Sequence, residues 1–141
     1  MIIIDAKDMI VGRVATVAAK KALQGAEVAI INSEQAVFTG NKKRIVTDWQ
    51  EKYAMGVPRK GPFINRMPDR FLRRVIRGML PYKKPRGAEA YKRIMCYLGE
   101  PKGLKGEKMV IQEASVDKLP TMKYLTVDEL CKKLGGSHGQ E

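Results

Sequence analysis

IIIDAKDMIVGRVATVAAKKALQGAEVAII, residues 2–31, begins and ends on a short run of apolar, largely β-branched residues. Neither Ile2–Ile4 nor Val28–Ile31 alternates with polar residues, which is the pattern of a strand covered on both faces. Between them, after a turn through Lys7 and Asp8, the stretch from Gly12 to Gly25 reads as a helix with Gly25 at its C-cap. Gly12 is assigned to a close approach of that helix to the strand before it. Strand, helix and strand within about thirty residues form a βαβ unit, which sets its strands parallel with a right-handed crossover. The predicted fold class is therefore α/β, built on a parallel sheet.

Outward from this unit, Thr39 and Gly40 mark a loop and Asn41 caps a helix from Lys42 to Tyr53. Residues 56–68 carry three prolines and two glycines among Arg59, Lys60 and Arg66, and read as an extended basic loop. RFLRRVIRGMLP, residues 70–81, has helical periodicity. At about 100° per residue, Arg70, Arg73, Arg74 and Arg77 share one narrow sector, and Phe71, Leu72, Val75, Ile76 and Met79 fill the opposite side. Pro68 suits its first turn, Asp69 complements the positive end of its dipole, and Pro81 stops it. PYKKPRG, residues 81–87, reads as a second basic loop and Ile94–Leu98 as a strand. Met109–Ile111 reads as a short extended segment, and the stretch to Pro120 is ambiguous. Thr126 and Glu129 make a capping box for a C-terminal helix through Leu134, closed by Gly135 and Gly136. Residues 136–141, with His138, are expected to be a disordered tail. With no repeat and no linker, residues 1–141 read as one domain.

The chain carries a net charge of +12 and a pI near 9.9. Residues 40–93 hold sixteen bases against four acids, a net of +12, while the remainder balances at eleven against eleven. A solubility adaptation spreads its charge; a binding surface concentrates it. Four arginines on one helix face, with no acid to relieve their repulsion, call for a negative partner outside the helix. The opening residues lack a signal-peptide pattern, and no apolar run approaches the roughly 18 residues that span a bilayer. A cytosolic protein is expected. Cys96 and Cys131 lack a C-x-x-C partner, which argues for reduced structural thiols and against a zinc site or disulfide.

Three partner classes compete. VFTGNKK, residues 37–43, offers Gly40 and Lys42 to a phosphate, yet lacks the second glycine and the GK[ST] ending of a phosphate loop. The carboxylates Asp5, Asp8, Asp48, Asp69 and Glu89 are accounted for by turns, helix starts or charge balance, so neither a catalytic nor a metal site is assembled. Membrane-surface or calmodulin-target binding suits a basic amphipathic helix, but the apolar face of residues 71–79 is needed to cover a sheet. Nucleic acid explains most. Arginine presents a planar fork to phosphate, and Pro/Gly-rich basic loops follow the irregular backbone of folded RNA. Among the interleaved aromatics, Trp49 and Phe71 read as core, and Phe63 and Tyr82 as candidates to stack on bases. No helix-turn-helix, zinc-finger or RRM signature supports sequence-specific DNA reading.

The successive segments IIIDAKDMIVGRVAT, VAIINSEQAVFTGNK, RVIRGMLPYKKPRG and YKRIMCYLG, together covering roughly residues 1 to 100, resemble the signature segments of the L-thirteen family of large-subunit ribosomal proteins, in the family's order. The resemblance implies a three-layer α/β/α fold on a four-stranded parallel sheet. It implies a structural constituent of the large subunit, without enzymatic activity or cofactor, that contacts large-subunit ribosomal RNA and neighbouring ribosomal proteins in the cytoplasm and supports subunit assembly and translation. The short passage Gly25, Ala26, Glu27, where bacterial members carry a longer insertion, resembles the archaeal and eukaryotic branch, and the lack of a long C-terminal extension favours the archaeal. The candidate RNA contacts are Lys42, Lys43, Arg44, Arg59, Lys60, Arg66, Arg70, Arg73, Arg74, Arg77, Lys83, Lys84, Arg86, Lys92 and Arg93. Arg13, Lys20 and Gln24 share a face of the first helix and are a minor candidate. Charge reversal at Arg73 and Arg74 is expected to abolish binding without unfolding the domain.

Overall fold

Strand β1 (Ile2–Asp5) is joined to β2 (Val28–Ile31) by helix α1 (Val11–Leu23), and the two strands are parallel in the register Ile2↔Val28 to Asp5↔Ile31. The computed structural model that gives this arrangement describes residues 1–136. Further along lie β3 (Val37–Thr39), α2 (Lys42–Ala54), α3 (Pro68–Gly78), α4 (Pro85–Lys92), β4 (Ile94–Cys96), β5 (Glu107–Met109), β6 (Tyr124–Thr126) and α5 (Val127–Lys133). β4 adds to β2 and β5 to β1, both parallel, giving one four-stranded sheet in the order β4-β2-β1-β5. Parallel neighbours cannot be joined by tight turns, so every connection crosses over. The sheet is flanked by helices, consistent with a three-layer α/β/α fold.

Alternation along the strands sorts their side chains to two faces. Ile4, Val28, Ile30, Ile94 and Cys96 enter the main core. They meet Val11, Val14, Ala15, Ala18 and Ala22 of α1, Phe71, Leu72 and Ile76 of α3, and Leu130 and Cys131 of α5. Each fully buried Leu or Ile contributes about 1.5–3 kcal/mol over its exposed state. Ile3, Ala29 and Ile31 form a second cluster with Tyr97 and Leu104. All four residues of β2 are thus buried, as its unbroken apolar run predicts.

Local chemistry sets the helix ends. α1 closes with Gly25 at φ +97°, a left-handed conformation that costs glycine nothing. Asn41 Oδ1 accepts the Lys43 N–H at 3.0 Å at the start of α2, and Thr126 Oγ1 accepts the Glu129 N–H at 3.2 Å at the start of α5.

Several expectations change. Gly12 is exposed and a Cβ there would meet nothing within 4 Å, so it marks no close helix-strand approach. Residues 81–87 are not one loop: Pro85 takes the first helical position of α4, where its missing N–H is harmless, and Arg86 therefore lies on a helix. The strand expected over Ile94–Leu98 ends at Cys96. The short extended segment expected at 109–111 is a strand at Glu107–Met109, drawn back because the Glu107 N–H donates to the Met1 carbonyl at 3.1 Å. β3 and β6, absent from the sequence reading, form an antiparallel ribbon with Phe38 opposite Leu125. α5 stops one residue before Leu134. The Gly136 N–H donates to the Cys131 carbonyl at 2.8 Å, so the ordered chain extends through the first residue of the expected tail. The rest of that tail, with His138, lies outside the described residues.

Candidate nucleic-acid interface

α3 divides its residues as the periodicity predicts. Phe71, Leu72 and Ile76 are buried, and Val75 is half-buried. Met79 departs from the apolar side and is exposed beyond the helix end. On the outer side Arg70, Arg73, Arg74 and Arg77, with Asn65 and Tyr91, line a depression of about 370 Å³ that contains no carboxylate from the described residues. Among the described residues none of these four guanidinium groups is within ion-pair distance of an acid. Asp69, the sole acid of α3, does not line the depression, and its charge acts on the buried thiols of Cys96 and Cys131, raising both.

The four arginines are not equivalent. Arg70 is exposed. Arg77 lies 4.7 Å from the centroid of the exposed Tyr82 ring. Arg73 is half-buried, stacked 4.3 Å from the Tyr91 ring, and donates to the carbonyls of Ile94 at 2.9 Å and Tyr91 at 3.3 Å. Arg74 Nη1 donates to the Phe63 carbonyl at 2.9 Å, pinning the 56–66 loop to the helix. These bonds fix the middle two guanidinium groups in place, which spares a phosphate the entropy of ordering them.

The other predicted contacts lie on α2, the 56–66 loop, the turn after α3, and α4. Lys43 and Arg44 are exposed on the first turn of α2, where Lys42 pairs with Glu129 at 3.8 Å. Arg59 and Lys60 are exposed on the loop. Arg66, also exposed, stands 5.1 Å from the Tyr53 ring. Lys83, Lys84, Arg86 and Lys92 are exposed along the turn and α4. Arg93 is turned inward, donating to the Ala22 carbonyl at 3.3 Å near the negative end of α1 and pairing with Glu89 at 3.8 Å. Arg13 is likewise committed, to the Glu113 carbonyl. Asn65 joins the groove without any charge in the sequence to announce it. Tyr91, an aromatic between the bases of α3 and Lys92, joins it as well. Phe63 is 68% exposed, whereas Trp49 and Phe71 pack together with centroids 4.5 Å apart. No described helix is long and apolar enough to cross a membrane. No group of three or more His, Cys, Asp or Glu among the described residues is placed to hold a metal.

A parallel α/β fold that carries four arginines around one depression has the chemistry of a surface suited to polyanions. Residues 1–103 match the family described as ribosomal protein L13, and the chain belongs to that family. It is 48% identical over 139 residues to the large ribosomal subunit protein uL13 of Methanocaldococcus jannaschii, spanning 96% of this chain and 98% of that one. It is 43% identical over 136 residues to uL13 of Methanopyrus kandleri, covering 94% and 86% of the two chains. With uL13 of Haloarcula marismortui it shares 41% over 136 residues, covering 96% and 92%.

Proposed function

We propose that the protein is a structural, non-enzymatic constituent of an archaeal-type large ribosomal subunit in the cytoplasm, acting as one domain that holds large-subunit ribosomal RNA on its α3 face. Its role is to support subunit assembly and translation beside neighbouring ribosomal proteins. The observation that carries this reading is the acid-free groove of Arg70, Arg73, Arg74 and Arg77. Arg70 and Arg77 supply guanidinium groups to phosphates, and Arg73 and Arg74 set the register between the groove and the chain around it. Lys43, Arg44, Arg59, Lys60, Arg66, Lys83, Lys84, Arg86 and Lys92, all exposed, add to the contact. Lys42 and Arg93 contribute field rather than direct contact. Family membership over residues 1–103 supports the reading, as does the concentration of the whole charge excess in residues 40–93.

Sedimentation of a cell lysate on sucrose gradients tests it. Co-migration with large subunits through moderate salt is expected; residence at the top of the gradient at every salt concentration would sink the reading. With about half of the sixteen central bases neutralising phosphates, the log-log salt slope of binding to large-subunit ribosomal RNA is about −6.

A further inference from the structure

Arg74 lines a second depression as well as the groove, this one of about 420 Å³ and of opposite character. Its walls are apolar and aromatic, built by Phe38, Trp49, Met55, Ile64, Phe71 and Val75. Among the described residues, its charged lining residues are Lys52 and Arg74 alone. The Trp49 ring is half-buried, and Lys52 Nζ lies over it, 4.1 Å from the centroid. Gly78 also lines the space, and a Cβ built on it would meet nothing within 4 Å. The last turn of α3 therefore contributes no side chain to this wall, and a larger residue at 78 has open space to occupy beside it.

We propose that this pocket receives an unstacked nucleobase from the RNA held in the arginine groove. The inference rests on the RNA-binding reading above and adds to it a base-binding subsite. Apolar and aromatic walls suit the π-face of a base, and folded RNA is recognised through bases splayed out of its stacks. Because Arg74 belongs to both depressions, a phosphate beside it and a base in the pocket are within reach of a single nucleotide. Lys52 is a removable cover: a flexible, exposed side chain on an aromatic face gives way to a stacking base and turns to a phosphate. The two cations complement a nucleotide, and no carboxylate among the described residues lines the pocket to repel it.

Trp49 is the sole tryptophan, so its emission reports on the pocket. The probes are single-stranded poly(A), the poly(A)·poly(U) duplex and deproteinised archaeal large-subunit ribosomal RNA, with binding followed separately by anisotropy. The single strand and the ribosomal RNA are expected to quench Trp49, and the duplex at equal phosphate concentration to leave it unchanged. Gly78→Leu, which fills the pocket without removing a charge, is expected to abolish the quenching and weaken single-strand binding roughly tenfold while sparing duplex binding. RNA binding with unaltered Trp49 emission, or quenching that survives Gly78→Leu, would overturn the base pocket and leave the ribosomal reading standing. Failure of all three RNAs to bind would overturn both. Quenching by an acidic phenylalanine-containing peptide, with none by the single strand, would reassign the pocket to a protein neighbour.

Discussion

Arg73 Nε donates a 2.9 Å hydrogen bond to the carbonyl of Ile94, the first residue of β4, and so ties the middle of the arginine face to the edge of the sheet. Its Nη2 reaches the Tyr91 carbonyl at 3.3 Å. A residue that looks from sequence like one of four equal phosphate ligands is thereby also part of the fold, and reversing its charge tests folding together with binding. Arg73→Glu is expected to lose about 2 kcal/mol, seen as a fall of roughly 8 °C in Tm for a chain of this size. Arg70→Glu, at an exposed position, is expected to stay within about 0.5 kcal/mol of the parent. Thermal melts of both variants decide this, and equal Tm values would remove the structural role of Arg73.

Binding separates the same residues differently. Arg70→Ala is expected to lower the magnitude of the RNA salt slope by about 1, since one phosphate contact disappears. Arg93→Ala, whose guanidinium already serves Ala22 and Glu89, is expected to leave the slope unchanged. Filter binding at several salt concentrations reads both, and a slope loss at Arg93 equal to that at Arg70 would return Arg93 to the interface.

The parts of this architecture visible in sequence are those set by local chemistry. The apolar runs of β1 and β2, the arginine sector of α3 and the caps at Asn41 and Thr126 depend on residues a few positions apart. The β3–β6 ribbon was hidden because each strand has three residues and its partner lies far along the chain. β5 was displaced because Glu107 and Lys108 are exposed and give no apolar signal. Charge totals single out residues 40–93, but the division between arginines that face outward and those that hold the fold depends on carbonyls at Phe63, Tyr91, Ile94 and Ala22. Those acceptors are backbone atoms that any sequence supplies, so only the folded chain shows which guanidinium meets which.

Two glycines should respond oppositely to alanine. A Cβ on Gly87 would fall 2.1 Å from the Pro81 carbonyl oxygen and 2.3 Å from its carbon, contacts that only a backbone shift between α3 and α4 relieves. Gly87→Ala is expected to cost about 1–3 kcal/mol. Gly12→Ala meets open space in the first turn of α1 and is expected to gain up to about 1 kcal/mol, mostly by restricting the unfolded chain. Urea denaturation measures both, and a neutral Gly87→Ala would mean that the turn at Pro81 is looser than its geometry.

Cys96 and Cys131 are buried in the core, and their thiols make the fold sensitive to alkali. Burial pushes Cys96 from its ordinary value of 9.0 up to about 12, against the opposing charge of Arg73 and with a smaller rise from Asp69. Burial also pushes Cys131 up to about 12, with Asp128 and then Asp69 raising it further. Below pH 9 both states hold the two protons and the thiols leave stability unchanged. Between pH 9 and about 12 the unfolded chain releases them while the folded chain cannot, so stability falls as pH rises. The greatest slope is about 1.4 kcal/mol per pH unit for each thiol. Lysine and tyrosine titrate in the same range, so the readout is a difference: urea midpoints of the parent against a Cys96→Ala/Cys131→Ala variant at several pH values. The variant starts lower, because two packed sulfur atoms are lost, and its midpoint is expected to decline less steeply above pH 9. Parallel declines would show that the thiols ionise equally in both states, and would remove them as the source of alkaline sensitivity.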